Sequence, residues 1–351
     1  MHINDLLTTA RNERASDVHI TAARNPLFRI DGSLRETDFA LSIEEKRALI
    51  FALLTDKQKK LVEDGKDVDT SYEIQGGMRH RVNVYHQQQR LASAIRLLND
   101  TIPTFDELGL PETLRELANE PRGLILVTGP TGSGKSTTLA AMVDCVNSKR
   151  ACHILTVEDP VEYVYKQKKA LIHQRNIGED VDSFSSALRS AMREDPDVIL
   201  VGEMRDFETI SAAVTAAETG HLVLSTLHTT GAAMTVDRII DVFPPHSQHQ
   251  IRTQLAGVLK GVVTQTLIPK ASGTGRVAAF EIMTGSDAVC TQIREGKGHQ
   301  LNSTIQTSQR QGMILLDDYL AKLVRQGVIT QEHALEKVAN KTEFLNSLTK
   351  L

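Results

Sequence analysis

Gly123-Leu124-Ile125-Leu126-Val127-Thr128-Gly129-Pro130-Thr131-Gly132-Ser133-Gly134-Lys135-Ser136-Thr137 joins an apolar run of strand length to a glycine-rich turn, and TTLAAMVDCV from residue 137 reads as a helix. Residues 129–136 fill the pattern G-x-x-x-x-G-K-[ST], which carries meaning only between a strand and a helix. A side chain at the glycines would keep backbone N–H groups from closing round phosphate oxygens. The helix start adds its own unbonded N–H groups and the positive end of its dipole. This reading assigns phosphate binding to Gly129, Pro130, Thr131, Gly132, Ser133, Gly134, Lys135, Ser136 and Thr137. Lys135 would reach the β- and γ-phosphates of ATP, and Ser136 would offer its hydroxyl to Mg²⁺. A plain glycine turn leaves Lys135 unexplained.

Working outward, HILTVED, DVILVGE and LVLSTLH repeat the apolar, strand-length run, each separated from the next by helical segments. Near-continuous apolar strands suit a sheet covered on both faces, so an α/β domain with a mainly parallel sheet is expected from residue 122. From about Gly285 the chain turns helical, with LLDDYLAKLVRQG the clearest amphipathic piece. Ligands of open α/β sheets sit beyond the carboxyl ends of the strands. Glu158 and Asp159 stand where one run stops at a proline, and Glu203 ends another. Each acid alone reads as a solvated loop residue. Placed together after a phosphate loop, they become candidates for holding Mg²⁺ and orienting water, Glu158 for the metal beside Ser136.

Residues 1–99 read as a smaller α+β domain. SDVHIT and PLFRIDG are strand-like, and TSYEIQ, MRHRVNVYHQ and LASAIRLL alternate around Gly76-Gly77 as a hairpin would. SIEEKRALIFALL opens with Ser42 and has Glu45 three residues on, the spacing of a capping box. DTIPTFDELGLPETLRELANEP, residues 100–121, contains three prolines and one short helical stretch, and is expected to be an interdomain linker.

A length of 351 residues suits two domains. The net charge of −4, with no basic block, argues against a nucleic-acid partner. There is no Trp and only 4% aromatic residues, too few for base-stacking platforms. No run approaches the roughly 18 apolar residues of a membrane span, and MHINDLLTTARNERASDVHI does not read as a signal peptide, so a cytoplasmic location is expected. Cys145, Cys152 and Cys290 form no metal or disulfide pattern. His246 and His249 lack a third ligand nearby and fit a surface helix start.

GPTGSGKST, VEDPVE, REDPDVILVGEMRD and TAAETGHLVLSTLHTT resemble the Walker A, Asp box, Walker B and His box of the secretion and type IV pilus ATPases. With SDVHI, RHRVN and GRVAAFEIM the resemblance spans nearly the whole chain. It implies a PAS-like N-terminal domain joined to a RecA-like ATPase domain, assembled as a homo-hexamer with ATP at the subunit interfaces. Glu203 matches the catalytic glutamate that orients or activates water, with Glu158 and Asp159 supporting Mg²⁺ and the water network. His221 and His228 match the His box, which would couple the γ-phosphate to the neighbouring subunit. Transition-state charge calls for guanidinium groups. Arg81 and Arg96 resemble interface arginines, Arg193 and Arg205 flank the Walker B strand, and Arg276 resembles a subunit-contact residue.

The resemblance favours the retraction-type branch, because neither a four-cysteine zinc insertion nor extra N-terminal domains are present in the sequence. That branch implies a motor coupling ATP hydrolysis to type IV pilus retraction and twitching motility at the inner face of the cell membrane. Its partners would be an inner-membrane platform protein and a paralogous retraction ATPase. One stretch departs from the branch: where its members usually carry A-I-R-N-L-I, this chain reads Ala288-Val289-Cys290-Thr291-Gln292-Ile293. A secretion or DNA-uptake motor, and an ATP-binding regulatory partner of such a motor, are the alternative readings.

Overall fold

The computed structural model describes residues 1–30, 32–74, 78–98 and 101–349. The chain divides into two compact units, Met1–Thr101 with Pro160–Val164, and Ile102–Asp159 with Tyr165–Leu351.

The first unit contains helices α1 (Ile3–Asn12), α2 (Ile43–Ala52) and α3 (Asp56–Glu63). Its strands are β1 (Asp17–Ile20), β2 (Leu27–Ile30), β3 (Ser33–Glu36), β4 (Val68–Ile74), β5 (Met78–Gln87) and β6 (Arg90–Leu97). They form one antiparallel sheet in the order β3-β2-β1-β6-β5-β4. Alternation puts Val18, Phe28, Val82, Val84 and Ile95 on one face, where they pack with Ile3, Leu6 and Leu7 of α1 and Leu49 and Ile50 of α2. Helix α2 starts with the expected box: Glu45 N donates to Ser42 Oγ at 3.1 Å, and Ser42 N donates to Glu45 Oε2 at 2.7 Å. Strands β4 and β5 pair through Ile74 and Met78, while Gly76-Gly77, read as their turn, lie outside the described residues.

The second unit opens with α4 (Phe105–Leu108) and α5 (Glu112–Ala118). Residues 102–121 are therefore structured and counted with this unit, where a linker was expected. Leu114, Leu117 and Ala118 recur at helical spacing and are buried, and the Leu117 methyl groups press on Gly261. Next come β7 (Gly123–Thr128), α6 (Lys135–Lys149), β8 (His153–Glu158), β9 (Leu171–Asn176), α7 (Phe184–Ala191), β10 (Val198–Val201), α8 (Phe207–Glu218) and β11 (Leu222–Leu227). They are followed by α9 (Ala232–Asp241), α10 (Gln248–Val258), β12 (Leu259–Pro269), β13 (Arg276–Thr284), α11 (Asp287–Arg294), α12 (Leu301–Thr307), α13 (Leu316–Arg325), α14 (Gln331–Leu335) and α15 (Lys341–Thr349).

The sheet order is β13-β12-β7-β11-β10-β8-β9, parallel throughout except for the antiparallel edge strand β13. This is the α/β architecture expected of a RecA-like domain. Leu124, Leu126, Ile199, Val201 and Val223 pack with Leu188, Ile210, Val214, Val236 and Ile251 of the covering helices. The alternate residues Ile125, Val127 and Leu224 are fully buried as well, so both faces are covered. Helices α13–α15 close a smaller cluster through Leu320, Ala334 and Phe344 on Ile268 and Ala279. No helix among the described residues is long and apolar enough to cross a membrane.

Candidate active site

Strand β7 delivers the chain into Gly129, and α6 begins at Lys135 with Gly134 as its N-cap. Gly134 has φ +90° and no side-chain cap, so the first N–H groups of α6 face outward for an anion. Two of the glycines are required sterically. A Cβ on Gly129 would collide with the carbonyl oxygen of Gln265, and one on Gly134 would stand 2.8 Å from Gln265 Nε2. Lys135 is buried, and its Nζ donates to the carbonyl oxygens of Gly129 at 2.9 Å and Pro130 at 3.0 Å. The loop thus stores a cation at its own mouth. Ser133 Oγ is buried and unpartnered in the structure, a polar atom left over inside the cradle. Ser136 is exposed on the first turn of α6, open to a metal bound with phosphate.

The acids and the His box follow from the strand order. Next to β7 lies β11, whose end leads into His228; then β10, which leads into Glu203; then β8, which ends at Glu158. Arg205 Nη2 lies 2.7 Å from Glu203 Oε2, and His228 Nε2 lies 3.7 Å from the same oxygen. His228 Nε2 also stands 3.4 Å from Arg205 Nη2. Burial lowers the His228 pKa first, and the positive charges of Lys135 and Arg205 lower it further against the opposing pull of Glu203. A neutral ring can accept from the guanidinium and still donate from its other nitrogen. Glu158 Oε1 accepts from Thr156 Oγ1 at 2.6 Å and from Gln174 Nε2 at 3.3 Å, which aims the carboxylate from the end of β8. Asp159 follows it, exposed.

Five predicted residues lie elsewhere. His221 precedes β11, whose Leu222 pairs with Gly123 at the start of β7. It is therefore at the opposite end of the sheet, about 20 Å from the phosphate loop at 3.3 Å per strand residue. Its Nδ1 meets the Ala216 carbonyl oxygen at 2.8 Å, tying the end of α8 to β11. Arg193, exposed ahead of β10, stands at that far end too. The structure does not bring either residue to the phosphate loop of its own chain. Arg81 and Arg96 face each other across β5 and β6 in the first unit. Arg81 Nη2 reaches Asp69 at 2.6 Å, and Arg96 Nε reaches Asp17 at 3.1 Å. Arg276 starts β13 and is exposed.

Sequence reasoning missed Gln265. This buried side chain accepts from Thr138 Oγ1 at 2.7 Å and donates to the Ser133 carbonyl at 2.7 Å, so β12 braces both the phosphate loop and α6. Beside it, the Thr264 and Thr128 hydroxyls bond at 2.8 Å. The signal was present as three polar residues, Thr264, Gln265 and Thr266, interrupting the apolar run VVTQTLI. Among the described residues no three His, Cys, Asp or Glu side chains cluster as a metal cage. Ser136 and Glu158 offer oxygen donors, the ligand type that Mg²⁺ takes alongside phosphate and water.

The profile of the type II/IV secretion system protein family matches residues 1–349. The type IV pilus retraction ATPase PilT of Pseudomonas aeruginosa is 49% identical over 338 residues, covering 96% of this chain and 98% of its own length. A twitching motility protein of Neisseria gonorrhoeae is 46% identical over 339 residues, 96% of this chain and 91% of that protein. The crystal structure of the pilus retraction motor PilT with bound ADP superposes with a TM-score of 0.91 at 46% identity, covering 98% of each chain.

Proposed function

Because the chain belongs to the type II/IV secretion system protein family, we propose that it is a hexameric motor ATPase that drives type IV pilus retraction from the cytoplasmic face of the inner membrane. In this reading the ATPase domain is the unit that follows residue 101 and the PAS-like domain precedes it. The observation that carries the catalytic part is the convergence of Glu203, Arg205 and His228 at the ends of β10 and β11, next to the strand that feeds the phosphate loop.

On binding ATP, Lys135 exchanges its two loop carbonyls for β- and γ-phosphate oxygens, while the loop N–H groups and the start of α6 hold the rest. Ser136 and Glu158 would hold Mg²⁺, which supplies neutralisation of phosphate charge. Glu203 orients the attacking water and accepts its proton, Asp159 extends that water network, and neutral His228 senses the γ-phosphate. Arg205 follows the charge that develops on the phosphoryl group. Arg81 and Arg96 act from a neighbouring subunit of the ring, where their guanidinium groups trade Asp69 and Asp17 for phosphate. His221 has a positioning role at the α8–β11 turn, and Arg193 and Arg276 belong to subunit contacts. The platform protein in the membrane and a paralogous retraction ATPase are the partners this assignment requires.

The test has two levels. Glu203→Gln should bind ATP with wild-type affinity and release no phosphate; turnover in that variant would remove Glu203 from its role. In cells, deletion should raise the number of surface pili and abolish twitching. Bare cells or failed export would assign the motor to assembly or secretion instead.

A further inference from the structure

Helices α9 and α13 both begin without a side-chain cap of their own, since their N-caps are Gly231 and Leu315. A helix start leaves N–H groups that need a partner, and a carboxylate there is favoured by the helix dipole. One residue from a third element serves both. Ala232 N, the first residue of α9, donates to Glu281 Oε1 at 2.7 Å, and the backbone of Leu316, the first residue of α13, bonds the same carboxylate. Glu281 lies on β13 opposite Thr264, the residue that bonds the foot of the phosphate loop.

We propose that Glu281 is a positioning residue that fixes the His228 loop by capping α9 and couples that loop to the C-terminal helices by capping α13. Only residues 228–231 separate the end of β11 from α9, so pinning Ala232 fixes the far end of the segment that carries His228. The segment is closed from inside by the Thr229 and Thr235 hydroxyls at 2.7 Å and by Thr235 Oγ1 donating to the Gly231 carbonyl at 2.7 Å. The linkage continues beyond α13. Asp317 accepts from Ala339 N at 3.1 Å and Asn340 N at 3.3 Å, immediately ahead of α15. A displacement of the C-terminal helices therefore reaches His228 through two carboxylates, without passing through the phosphate loop.

The inference rests on the role proposed for His228, and a double-mutant cycle on the full-length protein tests the two separately. Glu281→Ala is expected to lower kcat roughly 10- to 100-fold, the scale of misplacing a reacting group by about 1 Å. Binding of a fluorescent ADP analogue should be unchanged, because the cradle is braced independently by Gln265. Glu281→Gln keeps one acceptor oxygen and should recover part of the loss. Adding Glu281→Ala to His228→Ala should cost nothing further, since residues acting through one another are non-additive. Losses that multiply in the double variant, with His228→Ala itself slow, overturn the role of Glu281 alone, as does wild-type kcat in folded Glu281→Ala. Wild-type turnover in His228→Ala removes the His228 reading and the proposed route with it. Should Glu281→Ala fail to fold, Glu281→Gln replaces it in the same cycle, with a smaller loss and the same non-additivity expected.

Discussion

Arg205 holds its guanidinium 2.7 Å from the carboxylate of Glu203, two residues away on the same strand extension, and stays largely exposed while doing so. The contact fixes the direction of the Glu203 carboxylate before substrate arrives. An exposed ion pair is weak and opens readily, so Arg205 is free to move to the phosphoryl group when its charge develops. Arg205→Ala is expected to lower kcat about a hundredfold with KM little changed, the pattern of a lost transition-state donor. Arg205→Lys should recover only part of it, because an ammonium lacks the planar fork. Steady-state phosphate release decides the matter, and a full rate in Arg205→Ala would assign the pair to structure alone.

Lys135 is expected to act in binding more than in turnover. Its Nζ is held by two carbonyl oxygens of the loop, at 2.9 and 3.0 Å, so it is already positioned where phosphate must enter. Removing one partner of a desolvated charge pair costs about 2 kcal/mol or more, which is about thirtyfold in Kd. Lys135→Ala should lose at least that much affinity for ATP by equilibrium titration. Wild-type affinity in this variant would contradict the phosphate-loop reading.

What could be read in advance divides along physical lines. The loop from Gly129 to Thr137 was legible because its constraints are local: glycines with positive φ, a lysine and a helix start within nine residues. Strands β7, β8, β10 and β11 were legible because burial on both faces leaves nearly unbroken apolar runs. Edge strand β9, LIHQRN, mixes exposed Leu171 with buried Ile172 and carries no such signature. Strand β12 hid behind the polar Thr264 and Gln265, which are there to hold the loop. His221 and His228 belong to one motif, yet a strand lies between them, and only the direction of β11 shows which of the two stands at the phosphate-loop end of the sheet. Of the two helices within residues 102–121 only one short helical stretch was legible, because three prolines bound them without breaking them.

Gln265 supplies a further expectation. Its amide makes two buried hydrogen bonds, to Thr138 Oγ1 and to the Ser133 carbonyl, and truncation leaves both partners unpaired. Gln265→Ala should cost about 2 to 3 kcal/mol of stability and weaken nucleotide binding, because the loop loses its brace while keeping every residue of the motif. Denaturant unfolding and ATP titration measure the two effects. If both match the wild type, the loop is self-supporting and the bracing by β12 is incidental.

His80 predicts how the first unit responds to acid. It is fully buried between Arg11, whose Nε donates to His80 Nε2 at 3.3 Å, and the Tyr72 carbonyl 3.2 Å from Nδ1, so the ring is neutral with its proton on Nδ1. Burial, and then the Arg11 charge, push its pKa from 6.5 to about 4. Between those values the unfolded chain binds a proton that the folded chain does not. The contribution is therefore complete above pH 6.5, declines as pH falls, and is gone below about 4. The full effect is about 3 kcal/mol. Gln at position 80 can accept from Arg11 and donate to Tyr72 without titrating. Hydrogen exchange of the β5 and β6 amides should accelerate between pH 6.5 and 4 more steeply in the wild type than in His80→Gln, after correction for intrinsic rates. Parallel profiles in the two proteins would mean that His80 is protonated in the folded state and that Arg11 tolerates the charge.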